Sequence, residues 1–576
     1  MTENMTEKFL KPSPKKFADK ARSPEETIRW VTERFEEAGA DIFQELRRVD
    51  KGRLGIPVYI SLYGAEGLSV TGNVKQMGKG ATEPLAQASA LMELAERYSL
   101  FRYIRNQANF LLAPLQEHED AISAEDLLSS VEDPSEDQEA SNLCRRILPE
   151  IPFHLAPAFE VHRKRRRLLP IYWFWLLYEY NGSSAGNTYA EAAVQGTCEL
   201  IERHASALAS LQKTPFREVV LDGVSPETEA LLSCFQRLGI KLFLRDFTFG
   251  MPVATIGALA YDPSTFPHRS EIVYTAGTAT SPERALVRAL TEVAQLAGDF
   301  DTDGKYLESG LPKYATLEEA AHLLEKDGEV SLRELPDLSA PDHAEELQRL
   351  ALALAEKGFT LYLLDATSPE LRVPVVYNVI PGVHFRERIK IPPLYQLVRT
   401  VALYLPAELA LSILEPLSKE ISRYYVESAR GQVLSKLERW KEAASCFEKA
   451  LTLSPYPEDL PAIYCHLAHA LLQAGDFHAA REVVEKALGL SPMPELYNLL
   501  GTINFKEGRT EAALEAYFQA VALDPQRALD YANIGACLLA LGLPQEAETY
   551  FTNAKMLDPA LDLERFRQVR KEGSHV

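Results

Sequence analysis

The sequence predicts an α+β domain with an internal turn–helix repeat, followed by an all-α solenoid of helical repeats. Two observations predict this order. Three alanine-rich segments in the first 400 residues can be stacked on one another without gaps, and four copies of a different pattern fill the last quarter of the chain. The chain has 576 residues, which is too long for one hydrophobic core, so more than one domain is expected.

Composition excludes several functional classes. Hydrophobic residues make up 46% of the chain and charged residues 25%, as in ordinary globular proteins. The formal net charge of −21 argues against DNA and anionic membranes as partners, because their phosphates would repel the average surface. The amino terminus lacks the apolar core of a signal peptide, and the six cysteines are scattered without a CxxC motif. We therefore expect a cytoplasmic protein with neither a disulfide framework nor a zinc site.

One basic run, Arg163 to Arg167, departs from this acidic average. It could serve as a localisation signal or as a phosphate-binding patch. The flanking segments HLAPAFEV and LLPIYWFW are both strand-like, however, so the turn of a β-hairpin is the favoured interpretation.

The helical repeats end at four prolines, Pro455, Pro492, Pro525 and Pro559, which lie 37, 33 and 34 residues apart. Small residues in each copy allow two antiparallel helices to approach, aromatic residues fill the gaps between neighbouring units, and proline ends the second helix. The third copy shows the pattern in full: Tyr497, Leu500, Gly501, Gly508, Ala513, Tyr517 and Ala520. The region 421–560 resembles the tetratricopeptide repeats, whose period is about 34 residues. This resemblance implies a groove for a protein partner; a plain helical bundle is the alternative.

Three segments of the larger region carry a second repeat. They read GKGATEPLAQASALMELAER, AGNTYAEAAVQGTCELIER and AGTATSPERALVRALTEVAQ. Each opens with glycine and a helix-capping type of residue, Thr82, Asn187 or Ser281, before an alanine-rich stretch. Stacking the segments aligns four sets: Ala86, Ala192 and Ala285; Ser89, Gln195 and Arg288; Glu93, Glu199 and Glu292; Glu96, Glu202 and Gln295. We predict an internal three-fold repeat of a turn followed by a helix.

The shared polar positions fall on one face of each helix. At about 100° per residue, Asn187, Glu191, Gln195, Glu199 and Glu202 cover roughly a third of the helix circumference. Their neighbours are mostly apolar, so the glutamates are expected to be buried, where they repel one another unless cations neutralise them. Such carboxylates, with Arg, Asn and Gln beside them, suit magnesium ions that carry a polyphosphate. The alternative is an acidic helix face that is exposed to solvent. Three segments with polar residues at the same helical positions make this alternative less favourable.

A turn in the first segment offers a phosphate contact without a P-loop. Lys79 lies between two glycines and could reach a phosphate. The stretch GNVKQMGKG does not match a P-loop, because Gly72 and Gly78 are one residue too far apart and Gly80 replaces the Ser or Thr that would bind magnesium.

These motifs, with the flanking stretches LDATSPELRVPVVYNVIPG and RSPEETIRWVTERFEEAGA, resemble the YcaO family over roughly residues 20–395. The resemblance implies a domain that binds magnesium and ATP without a P-loop. It also implies phosphorylation of a backbone amide oxygen after a nucleophile has added to the amide carbon. A neighbouring Cys, Ser or Thr side chain as the nucleophile gives an azoline, whereas an external sulfur donor gives a thioamide.

The resemblance also implies site residues. Six glutamates would hold the metal ions, directly or through water: Glu93, Glu96, Glu191, Glu199, Glu202 and Glu292. ATP would contact the Lys79 side chain described above and five further residues: Ser89, Asn187, Arg203, Arg288 and Gln295. Lys20 and Thr27 match the family more loosely and would close over the nucleotide. No catalytic residue is assigned beyond this ATP site, and we expect Cys198 to be a packing residue because neighbouring carboxylates disfavour its thiolate.

One departure from the family narrows the expected activity. Azoline-forming members commonly end in a proline-rich PxPxP tail, whereas this chain continues into the repeats and ends in KEGSHV. The favoured activity is therefore thioamide formation, or support of the methylthiolation of a ribosomal protein, with azoline formation as an alternative. Two further hypotheses are a non-catalytic scaffold of a sulfur-transfer or ribosome-modifying complex, and a magnesium-dependent kinase or ligase that acts on a small molecule.

The expected partners follow from this interpretation. They are a peptide or protein substrate, a TfuA-like or sulfur-donor helper protein, and a protein bound at the repeats; the oligomeric state stays open, a homodimer included. The predicted domains are a flexible amino-terminal tail over 1–19, the YcaO-like ATP-binding domain over 20–395, a helical connector over 396–420, four repeats over 421–560 and a carboxyl-terminal tail over 561–576.

Overall fold

The structure is a computed structural model that describes residues 2–131, 137–301, 311–383, 385, 391–558 and 561–568. The chain divides into two compact units: Met1–Gln138 with Arg145–Pro392, and Glu139–Cys144 with Pro393–Val576. Within the described ranges, no helix is both long and apolar enough to cross a bilayer. The predicted order, an α+β domain followed by a helical-repeat region, is confirmed.

Strands and helices alternate irregularly along the chain up to residue 392. Strands β1 to β14 span, in order, Phe43–Arg48, Val58–Tyr63, Lys75–Lys79, Leu111–Pro114, Pro152–Glu160, Arg165–Pro170, Ser183–Ala185, Phe216–Val220, Lys241–Asp246, Ala254–Tyr261, Val273–Ala279, Lys326–Ser331, Tyr362–Asp365 and Val375–Val379. Helices α1 to α12 span Thr2–Phe9, Pro24–Ala38, Ala65–Thr71, Glu83–Arg105, Ala124–Leu128, Gln138–Ile147, Ile171–Tyr178, Tyr189–Leu211, Pro226–Arg237, Pro282–Ala297, Ala321–Leu324 and His343–Glu356.

The described strands form three sheets, and one edge strand of each sheet leads into a long helix. The sheet orders are β1-β2-β3, β11-β10-β9-β8-β12 and β4-β5-β13-β14-β7, with β6 paired to β5. The paired strands are antiparallel except β8 and β12, which are parallel. β3 leads into α4, β7 into α8 and β11 into α10. The predicted three-fold repeat of a turn and a helix is therefore present, and each copy begins with an edge strand.

Small residues line the crossing of each helix over the strand that precedes it. A Cβ atom on Gly78 of β3 would overlap the backbone of Ala90 in α4, and one on Gly277 of β11 would overlap the matching turn of α10. In the second repeat the glycine lies on the helix instead: a Cβ atom on Gly196 of α8 would lie 2.6 Å from the carbonyl oxygen of Gly182. Any side chain at these positions would push the helix away from its sheet.

The three repeats form a closed ring. Each helix contacts its own strand and also the strand of another repeat, because α4 contacts β7, α8 contacts β11 and α10 contacts β3. The third contact returns to the first repeat, so segments that are far apart in the sequence meet in one region of the unit.

The basic run forms the turn of a β-hairpin, as predicted. β5 and β6 pair in antiparallel register, and Arg163 and Lys164 lie in the turn between them. Glu160, at the end of β5, is fully buried, and the guanidinium groups of Arg163 and Arg165 lie 3.2 and 2.6 Å from its carboxylate. The run therefore neutralises a buried glutamate of the hairpin.

Part of the segment that was predicted as a flexible tail, residues 1–19, packs on the first unit. Phe9, at the end of α1, is fully buried and stacks on Phe159 with ring centroids 5.8 Å apart. Farther along, Lys15 pairs with Glu346 at 2.8 Å. These contacts join the segment to the first unit, and single contacts of this kind leave no periodic pattern in the sequence.

The second unit is helical in its described part. Helices α13 to α23 span Pro393–Tyr404, Ala407–Glu420, Tyr424–Lys436, Trp440–Thr452, Leu460–Gln473, Phe477–Leu490, Pro494–Lys506, Thr510–Leu523, Ala528–Ala540, Pro544–Leu557 and Glu564–Arg567. The eight helices from α15 to α22 make the four predicted pairs, and α13 and α14 occupy most of the stretch that was predicted as a helical connector.

Packing inside the helix pairs follows the size of the facing residues. A Cβ atom on Gly501 would lie 2.7 Å from the ring of Tyr517, so only glycine leaves room for that ring. In the second pair Ala468 replaces the glycine and Val484 replaces the aromatic residue, and both are fully buried. The larger residue on one helix thus faces a smaller one on the other. Pro559, the predicted end of the fourth repeat, lies outside the described residues.

Gly277→Ala tests the closeness of the strand–helix crossing. The added methyl group would overlap the backbone of α10, so we expect the free energy of unfolding of the first unit to fall by about 1–3 kcal/mol. Gly489→Ala is the matched control: Gly489 lies in α18, where an added methyl group would meet nothing within 4 Å, so stability should stay the same or rise slightly. Urea unfolding followed by circular dichroism measures the stability of both variants. Equal unfolding midpoints for the two variants would contradict the close packing of α10 on β11.

Candidate functional site

Two glutamates of the ring accept hydrogen bonds from the backbone of the next strand. Glu96 on α4 accepts from the backbone nitrogen of Ala185 on β7 at 3.3 Å and from Ser183 Oγ at 2.5 Å. Glu202 on α8 accepts from the backbone nitrogen of Thr278 on β11 at 2.9 Å. Because β7 and β11 are edge strands, these N–H groups face away from the sheet, and the glutamates satisfy them.

Cations lie between the carboxylates of α4 and α10. Lys79, the last residue of β3, is paired with Glu292 of α10. Arg97 of α4 lies 3.6 Å from the carboxylate of Glu93 and is also paired with Glu96. The first repeat therefore contributes both signs of charge to this cluster, and the third repeat contributes a carboxylate.

α8 adds another glutamate and arginine. Glu199 accepts from the backbone nitrogen of Gly182 at 3.1 Å and lies 3.6 Å from the guanidinium of Arg203. Arg288 of α10 lies 3.8 Å from Glu202, and its Nε atom is buried without a hydrogen-bond partner among the described residues. The central cluster, as we name it, consists of Lys79, Glu93, Glu96, Arg97, Glu199, Glu202, Arg203, Arg288 and Glu292.

Asn187 and Glu191 form a separate outer cluster at the start of α8. Thr27 donates from Oγ1 to Asn187 Oδ1 at 3.0 Å, and Asn187 donates from Nδ2 to Glu191 Oε1 at 3.1 Å. The backbone nitrogen of Ala21 donates to Glu191 at 3.1 Å, and Lys20 Nζ lies 3.9 Å from the same carboxylate. Glu191 precedes the first α8 glutamate of the central cluster by two helical turns, ~12 Å along the axis. Glu191 is thus separated along α8 from the two other glutamates of this helix that were predicted to bind metal, Glu199 and Glu202.

The cap of α8 differs from the prediction. Thr188, rather than Asn187, is the N-cap residue, and its side chain accepts from the backbone nitrogen of Glu191. Asn187 is engaged with Thr27 and Glu191 instead. Thr82 and Ser281 are the N-caps of α4 and α10, as their type predicts, but neither makes a side-chain capping hydrogen bond.

Burial leaves charges of the central cluster only partly neutralised. It raises the pKa of Glu96 to about 8, although Arg97 opposes the rise. It also raises the pKa of Glu93, against the opposing charges of Arg97 and Lys79. Burial and the nearby Arg288 lower the pKa of Lys79 to about 8. Burial thus disfavours the charged forms of Glu93, Glu96 and Lys79 in spite of their charged partners.

This pattern of charges fits a magnesium ion together with a phosphate. Carboxylate oxygens are ligands that Mg²⁺ prefers, and lysine and arginine bind phosphate. Within the described part of the chain, no group of three or more His, Cys, Asp or Glu side chains converges closely enough to hold a metal ion. The carboxylates are paired with Lys79 and Arg97 instead. A metal ion that arrives with an anionic ligand would satisfy both the glutamates and these cations.

Most residues predicted for the site lie in one of the two clusters. Ser89 and Gln295 do not: they lie on α4 and α10, partly exposed, and no hydrogen bond or ion pair of their side chains occurs among the described residues. Arg97 was missed by the prediction. It follows the shared alanine of its repeat by the same number of residues as Arg203 follows its own, so the stacked segments contained the signal.

Comparison with known families identifies the two units. The family model described as YcaO cyclodehydratase, ATP- and Mg²⁺-binding, matches residues 77–384, which is more than half of the chain. The chain therefore belongs to the YcaO family, and its cofactors are ATP and Mg²⁺. Two tetratricopeptide-repeat models match residues 428–457 and 465–528, which confirms tetratricopeptide repeats in this part of the predicted region.

Individual relatives are similar to parts of this chain. An uncharacterised protein of Methanothermobacter thermautotrophicus is 29% identical over 373 residues, which cover 62% of this chain and 93% of the relative. A Rhizobium leguminosarum bv. trifolii protein, named as uncharacterised and in the tfuA 3' region, is 29% identical over 218 residues, which cover 35% of this chain and 51% of the relative. This chain thus spans about half the length of that relative. A solved heterocyclase in complex with substrate and cofactor is 21% identical, with a TM-score of 0.52 over 67% of this chain and 55% of the other, and supports the fold alone.

Glu96→Gln should stabilise the metal-free protein at neutral and alkaline pH. Because burial raises the pKa of Glu96 from 4.5 to about 8, the folded protein keeps a proton between these values that the unfolded chain releases. Wild-type stability therefore falls as pH rises through this window, and the uncharged amide removes that loss. We expect no difference at pH 4 and a melting temperature higher by a few degrees at pH 8.5. Differential scanning fluorimetry in the presence of a chelator measures this, with the exposed Glu356→Gln as the control; an equal gain in the control would contradict the burial argument.

Proposed function

We propose that this chain is an ATP-dependent enzyme that activates a backbone amide of a peptide or protein substrate. The favoured outcome is thioamide formation, or support of the methylthiolation of a ribosomal protein. The central cluster carries the proposal: five glutamates and four cations drawn from three repeats suit Mg²⁺ and a polyphosphate. A non-catalytic scaffold would have no need of this set, and all six glutamates expected for an active site are present.

The proposed chemistry needs an amide oxygen to become a leaving group, and ATP would supply the phosphoryl group for this. A nucleophile would add to the amide carbon and lose its proton, and the amide oxygen would take the γ-phosphoryl group as ADP leaves. Phosphate would then leave as the C=S bond forms, or as the C=N bond forms with loss of the amide proton. The chain's own residues would provide position and charge. Lys79 and Arg288 would face the phosphates, and the glutamates would hold the metal ions.

We assign the repeats to the recruitment of a protein partner. Tetratricopeptide repeats present a groove for protein partners, which supports this assignment. The relative named for the tfuA 3' region supports a TfuA-like helper, and with it the thioamide outcome. A sulfur-donor protein is the other candidate for this partner.

Three substitutions test the central cluster as one binding unit. Glu93→Gln, Glu202→Gln and Glu292→Gln each remove one charge and keep the side-chain volume, so the fold should stay intact. We expect each to weaken the magnesium-dependent binding of a non-hydrolysable ATP analogue by at least about tenfold in calorimetric titration. The exposed Glu83→Gln, at the start of α4, is the matched control and should bind normally. Near-normal affinity in all three site variants would refute the site assignment.

Cys198→Ala tests the source of the nucleophile. Cys198 is 3% exposed, and burial raises the pKa of its thiol to about 12 even though Arg288 opposes the rise, so a thiolate is disfavoured at neutral pH. We expect product formation within a few-fold of wild type when a substrate and sulfide or a donor protein are supplied, measured by mass spectrometry. Loss of product with intact nucleotide binding would show instead that the enzyme carries sulfur on this cysteine.

A further inference from the structure

A cavity of about 740 Å³ lies in the first unit, and the proposed function does not yet use it. It is lined by strand ends and loops: the start of β8 at Phe216, the end of β9 at Asp246, the loop 248–252, β12 at Val330, and Lys357 after α12. The described residues that line it include none from the central or the outer cluster. Its volume is usual for a cavity that binds a ligand, so this region is a candidate for a second site.

Phe249 presents an aromatic ring at this cavity. Its ring centroid lies 6.1 Å from that of Phe216 and 6.3 Å from that of Phe247, yet the residue is 38% exposed. The φ angle of Phe249 is 47°, in the left-handed region that is unfavourable for a residue with a Cβ atom, and Gly250 follows at 70°. An unfavourable turn that leaves an aromatic ring exposed beside a cavity indicates a ring that binds a ligand.

The cavity also carries charge of both signs. Lys357 and Asp327 of β12 line it, and neither has an ion pair among the described residues. Arg217 and Asp246, which also line it, are paired with each other. A peptide suits this combination, because one peptide chain carries apolar, acidic and basic side chains. An apolar small molecule would leave both free charges unused.

Strand register places this cavity at the same end of its sheet as the central cluster. Asp246 ends β9, Ala254 begins β10 and Ala279 ends β11, and the pairing of these strands brings the three residues to one end. Thr278, next to Ala279, donates from its backbone nitrogen to Glu202 of the central cluster. The cavity and the cluster are therefore reached from the same end of the sheet.

Two segments of the chain lead from the cavity to the three repeats. Gln212, the C-cap residue of α8, lines the cavity and follows Glu202 by ten residues, which is about 15 Å along the helix axis. Pro336 lines the cavity as well, and two residues later the backbone nitrogen of Leu338 donates to the carbonyl oxygen of Thr280 at 2.8 Å. Thr280 belongs to the turn of the third repeat.

We propose that this cavity is a recognition site for the peptide substrate, in which a large apolar side chain of the peptide packs on Phe249. An extended chain rises about 3.3 Å per residue, so this side chain lies about five residues from the amide that reacts. Lys357 and Asp327 bind charged side chains of the same segment. The proposal rests on the proposed function, because it takes the central cluster as the place of reaction.

Peptide selection tests the cavity directly. A random dodecapeptide phage library is selected on the immobilised full-length chain and on Phe249→Asn, because asparagine removes the ring and tolerates the left-handed turn. Leu352→Gln is the matched control, since it removes another exposed apolar side chain, on α12. We expect wild type and Leu352→Gln to enrich the same peptides with a large apolar residue, and Phe249→Asn to enrich them about tenfold less. Equal enrichment by Phe249→Asn, or no common motif with wild type, overturns the proposal.

Lys357→Glu is a second variant, at an exposed residue whose replacement removes no ion pair among the described residues. We expect it to replace acidic residues by basic ones in the enriched peptides, because the charge at the cavity is reversed. An unchanged set of peptides would show that Lys357 does not face the bound segment, and the proposed site would be wrong.

Photocrosslinking tests the position of the peptide relative to the central cluster. An enriched peptide is synthesised with benzoylphenylalanine five residues before its apolar residue, and a second one with it five residues after. We expect one of the two to attach to the tryptic peptide 270–284, which contains Thr278. Attachment only to other parts of the chain overturns the proposal.

Calorimetric titration with the non-hydrolysable ATP analogue separates the two levels of inference. Phe249→Asn should bind the magnesium complex of the analogue as wild type does, while Glu202→Gln should bind it more weakly. Equal peptide enrichment in Phe249→Asn together with weak nucleotide binding in Glu202→Gln overturns the recognition site alone. Normal nucleotide binding in Glu202→Gln refutes the proposed function, and with it the place of reaction that this proposal assumes.

Discussion

The edge strands of the three sheets impose the constraint on which the rest of the first unit depends. β3, β7 and β11 each lie at the edge of a different sheet, and an edge leaves backbone N–H groups without a strand partner. Glu96 and Glu202 satisfy two of these groups, at Ala185 and Thr278, each from the helix of the preceding repeat. The same carboxylates belong to the central cluster. The contacts that close the ring of sheets therefore also gather these acidic groups in the central cluster.

This requirement explains the small residues at the strand–helix crossings. A glutamate on one helix reaches the next edge strand only if the helix lies close to its own sheet, and Gly78 and Gly277 allow that approach. The apolar side chains beside these crossings are fully buried, so water does not compete for the strand N–H groups. The small alanine side chains of the three helices thus allow the polar contacts to form and also fill the core.

The sequence predicted the repeats well because their signal is local. Helical periodicity and ungapped stacking located the glutamates on one face, and Arg97 could have been found in the same way. Contacts between repeats and outside them could not be predicted. The pairing of Glu202 with Thr278 joins two sheets, and Glu346, which pairs with Lys15, belongs to an ordinary amphipathic helix whose pattern shows no partner. Thr188 and Asn187 are both good capping residues, and only the contact between Asn187 and Thr27 decides between them.

The three repeats share one backbone pattern, but the charges at their equivalent positions differ. The helix position that holds Glu96 and Glu202 in two repeats holds the uncharged Gln295 in the third, and the strand position of Ala185 and Thr278 holds Lys79 in the first. The contact between α10 and β3 therefore carries a lysine at the position where the other two contacts carry the backbone donors of Ala185 and Thr278. Arg288 adds a second cation to this side. In the proposed function, Lys79 and Arg288 would therefore give this side of the central cluster the charge that a phosphate group requires.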